Sequence, residues 1–137
     1  QSELAQVRAA TAPLHRVEAA EAAGHRLHEG LDNCIDNPGV GAMGYHYIDP
    51  DRLDLDLDPR KPEALVYAPD ARGKLKLAAV EYIVPAEAWD AHHEHPPQVL
   101  GQHLHLNAAL GVYVLHAWIF KNNPAGIFED WNPNVSC

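Results

Sequence analysis

Three histidines and one glutamate lie in stretches that otherwise predict apolar β-strands. They are His46, Glu81, His105 and His116. A polar side chain inside such a strand loses its hydration and needs a hydrogen-bond partner, a counter-charge or a metal ion. Neutral imidazole and carboxylate are ligands that Zn, Cu, Fe, Mn and Ni accept. The four residues therefore predict one buried site for a single divalent transition metal ion.

Strand periodicity decides which neighbours share a face with these residues. Because side chains alternate along a strand, His105 and Asn107 point one way while Leu104 and Leu106 point the other. His103 shares the face of His105, and we leave it outside the predicted ligand set. A histidine ligand also needs an acceptor for its outer nitrogen, which we expect from Asn107, Tyr47 or a backbone carbonyl.

The other histidines predict no second site. One group lies in a predicted N-terminal helix, and the other lies in a loop that runs into two prolines. We expect both groups to be mostly solvated. They are His15, His25 and His28 in the helix, and His92, His93 and His95 in the loop.

The elements that must position the site divide the chain into three parts. Residues 1–31 are rich in alanine and predict helix, with Ser2 as N-cap and Gly30 as the stop. Residues 45–120 contain short runs typical of β-strands, and residues 121–137 form an irregular tail rich in Asn and Pro. We expect one α+β domain over residues 1–137, with N-terminal helices packed on an antiparallel sheet or a small β-barrel or sandwich.

The composition excludes several functional classes. The chain has 137 residues, with 19 acidic and 10 basic side chains and a formal net charge of −9. A nucleic-acid binder needs clustered Lys and Arg, and none are clustered here. No apolar run approaches the roughly 20 residues of a membrane-spanning helix. With nucleic acid and a membrane span excluded, the partners that we expect are a metal ion and a small-molecule ligand bound at that ion.

Two cysteines, Cys34 and Cys137, predict one disulfide if the chain is exported. Two free thiols are the alternative. The chain begins at Gln1 instead of Met, so it is either a mature form that has lost a signal peptide, which is the natural explanation, or a trimmed form. We therefore expect a periplasmic or secreted protein.

Several segments together resemble a family of uncharacterised exported bacterial proteins. They are Gly41–Tyr47, Val80–Tyr82 and the C-terminal stretch from His116–Trp118 through Asn122–Gly126 to Trp131–Cys137. The resemblance covers nearly the whole chain. It implies export and a pairing of the two cysteines, but it implies no reaction because the family has no established activity.

The resemblance also bears on the metal site. It implies that the histidines and the glutamate of the predicted set are the family's recurring positions, whereas His103 and the loop at 92–95 are variable. These recurring positions are His46, Glu81, His105 and His116.

Three functions fit these residues. The first is a binding protein that carries, stores or senses copper or zinc. The second is a small metalloenzyme, hydrolytic or oxygen-handling, whose ion keeps an open position and has Tyr45, Tyr47 or Tyr82 near it. The third is a metal-free domain in which the buried polar residues form a hydrogen-bonded network.

Overall fold

A computed structural model describes residues 2–27 and 34–137. Ser2 caps the first helix by accepting a hydrogen bond from the Ala5 backbone N–H at 3.2 Å, as predicted. The helical elements within these ranges are α1 (Glu3–Thr11), a 3₁₀ turn (Ala12–Leu14), α2 (Val17–Ala22), a second 3₁₀ turn (Pro50–Arg52) and α3 (Ala86–Asp90).

Nine strands are described, and every pairing between them is antiparallel. The main sheet has the order β1-β3-β4-β5-β9-β8, with β2 also paired to β3, while β6 and β7 form a separate hairpin. The predicted α+β class is confirmed. The strands are β1 (Arg26–Leu27), β2 (Ile35–Asn37), β3 (Gly41–Ile48), β4 (Ala64–Pro69), β5 (Leu75–Pro85), β6 (Gln98–Val99), β7 (Gln102–His103), β8 (His105–Asn107) and β9 (Val112–Ala117).

The N-terminal helical region is shorter than predicted. Helix α2 ends at Ala22, and Gly24 adopts a left-handed φ of +105° that reverses the chain into β1. The prediction of helix over 26–27 is therefore wrong, because these residues pair with β3. His28, the predicted stop at Gly30 and the predicted helix end at 31 lie outside the described residues.

Alternation along the strands gives the main sheet two different faces. One face carries large apolar side chains such as Tyr67, Tyr82 and Leu115, and it packs against Val7 of α1 and Ala20 of α2. The other face carries smaller side chains in two further apolar clusters. The predicted ligands point to this second face; they are His46, Glu81, His105 and His116.

The C-terminal tail lies against part of the second face. It has no helix or strand, as predicted, but Asn132 makes an isolated bridge with Ala42 of β3. Gly41 is required beside this bridge, because a Cβ on it would collide with the Asn132 backbone carbonyl. A disulfide joins Cys34 to Cys137 and confirms the predicted pairing.

Candidate metal centre

Two predicted ligands are direct neighbours across the sheet. Glu81 of β5 pairs with His116 of β9, so their side chains rise from opposite positions on the same face. Both are buried, and His116 Nε2 lies 3.6 Å from Glu81 Oε2. The alternating pattern of both strands places them there, because the residues on either side of each face the helices.

His46 reaches the same glutamate from β3, although β4 lies between β3 and β5. The β4 residues beneath this gap are small: Val66 pairs with His46, and Ala64 pairs with Glu81. Their short side chains leave room for the imidazole and the carboxylate to meet above β4. His46 Nε2 lies 3.3 Å from Glu81 Oε1.

His46, Glu81 and His116 form a compact group that could hold a metal ion. Each offers one ligand atom, and these atoms lie within 4.8 Å of one another. The two imidazole rings are nearly perpendicular, at 82°, with centroids 5.7 Å apart. Two nitrogens and a carboxylate therefore converge on one buried point, as the strand pattern predicts for these three residues.

Asp130 orients His116, although no sequence pattern singles it out. The Nδ1 atom of His116 lies 3.0 Å from Asp130 Oδ1 and donates its proton there in the neutral tautomer. That tautomer leaves Nε2 with a lone pair aimed towards Glu81. Nε2 is buried and has no hydrogen-bond partner within residues 2–27 and 34–137.

The tail positions Asp130 through backbone contacts instead of regular structure. The Trp118 indole N–H donates to the Glu129 carbonyl at 2.6 Å, and the Trp118 backbone N–H donates to Ile127 at 2.9 Å. Asn123 holds the other side by donating to the Trp131 carbonyl at 3.0 Å. Asp130 is thus fixed between two anchored residues, directly above β9.

His105, the fourth predicted ligand, lies outside the compact group of three. It belongs to β8, where it pairs with Val114 of β9. Its Nε2 atom lies 2.8 Å from Asp130 Oδ2, and its side chain is 48% exposed. Asp130 therefore bridges His105 and His116 with its two oxygens.

Burial and the neighbouring charges shift the pKa values of the two buried histidines in opposite directions. Burial lowers the pKa of His46, and the nearby Glu81 carboxylate offsets only part of that effect. Burial also disfavours the His116 cation, but Glu81 and Asp130 outweigh it and raise the pKa of His116. Burial alone would raise the Asp130 pKa, yet its two histidine neighbours lower it. His116 therefore holds a proton more readily than His46 does.

A cavity of about 460 Å³ opens directly onto the group. His46, Glu81 and His116 contribute to its wall, together with Asp130 and His105. Most of the remaining wall is aliphatic. An ion held by the three side chains would therefore keep a coordination position facing an accessible space.

The two side chains predicted as outer-nitrogen acceptors, Asn107 and Tyr47, are not the ones observed, whereas the backbone of Gly44 lies within hydrogen-bonding reach of His46. Tyr47 lies on the helix-facing side of the sheet, where its ring packs edge-on against Tyr67. Asn107 instead accepts a hydrogen bond from the Leu110 backbone N–H at 3.2 Å, within the β8–β9 turn. Tyr45 and Tyr82, predicted to act near the metal, also pack with the helix-facing cluster. The strand alternation of β3 and β5 places all three tyrosines on the wrong face.

The remaining histidines mostly lie where the sequence predicts. His15 and the histidines of the 92–95 loop are exposed, and His103 bonds to the Gln98 side chain at 2.6 Å in the separate hairpin. His25 differs, because it is completely buried where the chain leaves α2. Burial lowers its pKa. The prediction that His25 is solvated is therefore wrong.

Neither a protein-family model, nor a curated protein, nor a solved structure matches this chain. Among residues 2–27 and 34–137, no helix has the length and hydrophobicity needed to cross a membrane.

Proposed function

We propose that the protein binds one divalent transition metal ion through His46, Glu81 and His116. The observation that carries this proposal is the environment of His116. Its Nδ1 is held by the Asp130 carboxylate, while its buried Nε2 faces Glu81 at 3.6 Å and makes no hydrogen bond with the described residues. Metal-binding histidines typically have this arrangement, in which a carboxylate holds the outer nitrogen and fixes the tautomer.

The alternative of a metal-free polar network fits these contacts less well. A buried network stabilises a core only when each member is satisfied. Here His116 Nε2 is buried without a hydrogen bond to any described residue. Such an atom costs about 1–3 kcal/mol. A metal ion removes the penalty at His116 directly, by taking its free lone pair.

The donor set favours borderline ions. Two imidazole nitrogens and one carboxylate suit Zn or Cu(II), and also Fe, Mn or Ni. Both cysteines are joined in the disulfide, so neither supplies a thiolate. We propose zinc or copper as the ion carried, stored or sensed.

A small metalloenzyme is the second candidate, and the cavity is the observation that favours it. Two histidines and one carboxylate with an open position are the ligands of many catalytic zinc and non-haem iron sites. The open side of this group faces a space of about 460 Å³. A bound ion could there polarise a ligand or lower the pKa of a water molecule.

Metal titration of untagged protein tests the proposal. Apo protein is dialysed against each ion in turn, and the bound metal is measured by elemental analysis. We expect one Zn or Cu per chain, and loss of that metal in His116→Ala. His103→Ala is the matched control, because His103 is exposed and outside the cavity. Wild-type protein that binds no stoichiometric metal would refute the proposal.

The same titration decides the predicted role of His105. If His105 is the fourth ligand, His105→Ala weakens metal binding at least as much as loss of an outer-nitrogen acceptor, which is about 10- to 100-fold. If the affinity changes by less than about twofold, the coordination shell has three protein ligands.

We also propose that the protein is exported and belongs to the bacterial family that its sequence resembles. The disulfide supports export, because such bonds persist in oxidising compartments. Fractionation of the native host with a specific antibody tests this. Protein found with reduced thiols in the cytosol would contradict it.

A further inference from the structure

The cavity beside His46, Glu81 and His116 is polar at one end and mostly aliphatic along the rest of its length. Five of its polar side chains contact one another at one end, whereas the sixth, Asn107, lies at the β8–β9 turn; the five are His46, Glu81, His105, His116 and Asp130. Away from that end the wall is built from Ile48, Ile83 and Val114 of the sheet's second apolar cluster. A molecule that fills this space therefore meets ligating groups at one end and hydrocarbon along the rest.

The turn that closes the cavity carries unusually exposed leucines. Leu106 is 53% exposed and Leu110 is 55% exposed, the highest values among the large apolar side chains described. Both residues line the cavity. Leu110 lies on the β8–β9 turn, whose backbone is held by Asn107. Leu106 lies in β8 opposite Tyr113, so strand alternation points its side chain away from His105. Apolar side chains exposed at a cavity mouth mark a binding site more often than a random surface position does.

The ion at the polar end favours a head group that coordinates metal. With neutral imidazoles, a divalent ion carries two positive charges against the single negative charge of its ligand Glu81, and the neighbouring Asp130 carboxylate makes the whole group neutral. A carboxylate therefore binds by direct coordination to the ion. No Lys or Arg of residues 2–27 and 34–137 lines the cavity, so the ion is the group that would hold an anion there.

We propose that the cavity binds an apolar monocarboxylate, with its carboxylate on the metal ion and its hydrocarbon chain against the aliphatic wall. This inference rests on the metal binding proposed above. The volume of about 460 Å³ is roughly three times the ~150 Å³ cavity that accommodates a benzene ring. An acid of about eight carbons therefore fits, and a two-ring aromatic acid approaches the upper limit.

A chain-length series tests the proposal on metal-loaded protein. Cobalt(II) replaces zinc as the probe ion, and its visible spectrum reports binding of butanoate, hexanoate and octanoate. We expect affinity to rise about fourfold per methylene, or roughly 200-fold from butanoate to octanoate. Octylamine and octanol test the head group, and we expect each to bind at least tenfold more weakly than octanoate.

Substitutions at the cavity mouth test the contribution of the apolar wall. The variant Leu110→Gln, on the exposed turn, should reduce the gain per methylene to below about twofold while retaining one metal per chain. Leu53→Gln is the matched control, because Leu53 is exposed but lies outside the cavity.

The outcomes separate this inference from metal binding. Equal affinities for butanoate and octanoate, with one metal bound, would overturn the inference and leave the metal site intact. Octanoate binding that is equally tight without metal, or octylamine binding as tightly as octanoate, would also overturn it. Absence of stoichiometric metal would refute the metal site first.

Discussion

Replacing Asp130 by asparagine should weaken metal binding without removing a ligand. The two Asp130 oxygens contact His116 Nδ1 at 3.0 Å and His105 Nε2 at 2.8 Å. Asparagine keeps one acceptor oxygen and loses the charge, so one of the two charge-assisted contacts is lost. Such a bond contributes about 1.5–3 kcal/mol, and the matching change in affinity is roughly 10- to 150-fold. We therefore expect Asp130→Asn to bind one metal ion at reduced affinity.

Competition with a chromophoric chelator measures this change in affinity, and circular dichroism checks that the variant is folded. Glu129→Gln is the matched control, because it removes an adjacent exposed charge that contacts neither histidine. We expect this control to stay within about twofold of the wild type. Unchanged affinity in Asp130→Asn would refute the role of the carboxylate. Complete loss of metal from a folded variant would identify Asp130 as a ligand itself.

Three further predictions follow from charge and connectivity. The carboxylates beside His116 raise its pKa, so a proton competes with the metal for this side chain. Metal affinity should therefore rise about tenfold per pH unit until His116 is neutral. A metal affinity that does not change between about pH 5 and pH 8 would contradict this. Burial raises the pKa of Glu63 to about 8, so the folded state retains a proton that the unfolded state releases. Urea unfolding should therefore show stability falling by about 1.4 kcal/mol per pH unit from the ordinary carboxyl pKa up to about 8, with the slope lost in Glu63→Gln and kept in Glu87→Gln. Removing the disulfide by Cys34→Ser/Cys137→Ser should cost about 2–4 kcal/mol in urea unfolding and weaken metal binding, because the tail carries the acceptor for His116; unchanged metal affinity would show that the tail is held without it.

Alternation along the strands predicts much of the metal group. The pattern in Leu77–Val84 places Glu81 opposite the face of Val80 and Tyr82, and the run around His116 behaves in the same way. The side chains of Glu81 and His116 therefore point to the face of the sheet away from the helices. These expectations are local, because each depends only on residues one or two positions away along the same strand.

The contacts that complete the site are not local. His46 meets Glu81 across an intervening strand, and strand order cannot be derived from strand periodicity alone. Asp130 lies in an irregular tail whose placement depends on Trp118 and on the bridge to β3. His25 is buried because the left-handed turn at Gly24 ends the helical region early. Each of these features depends on long-range packing.

Anomalous diffraction from crystals of untagged, metal-loaded protein tests the metal site most directly. We expect one peak at the absorption edge of the bound ion, about 2.0–2.2 Å from a nitrogen of His46, a nitrogen of His116 and an oxygen of Glu81. A peak at the exposed histidines of the 92–95 loop, or no peak in the cavity lined by His46, Glu81 and His116, would contradict the proposed metal centre.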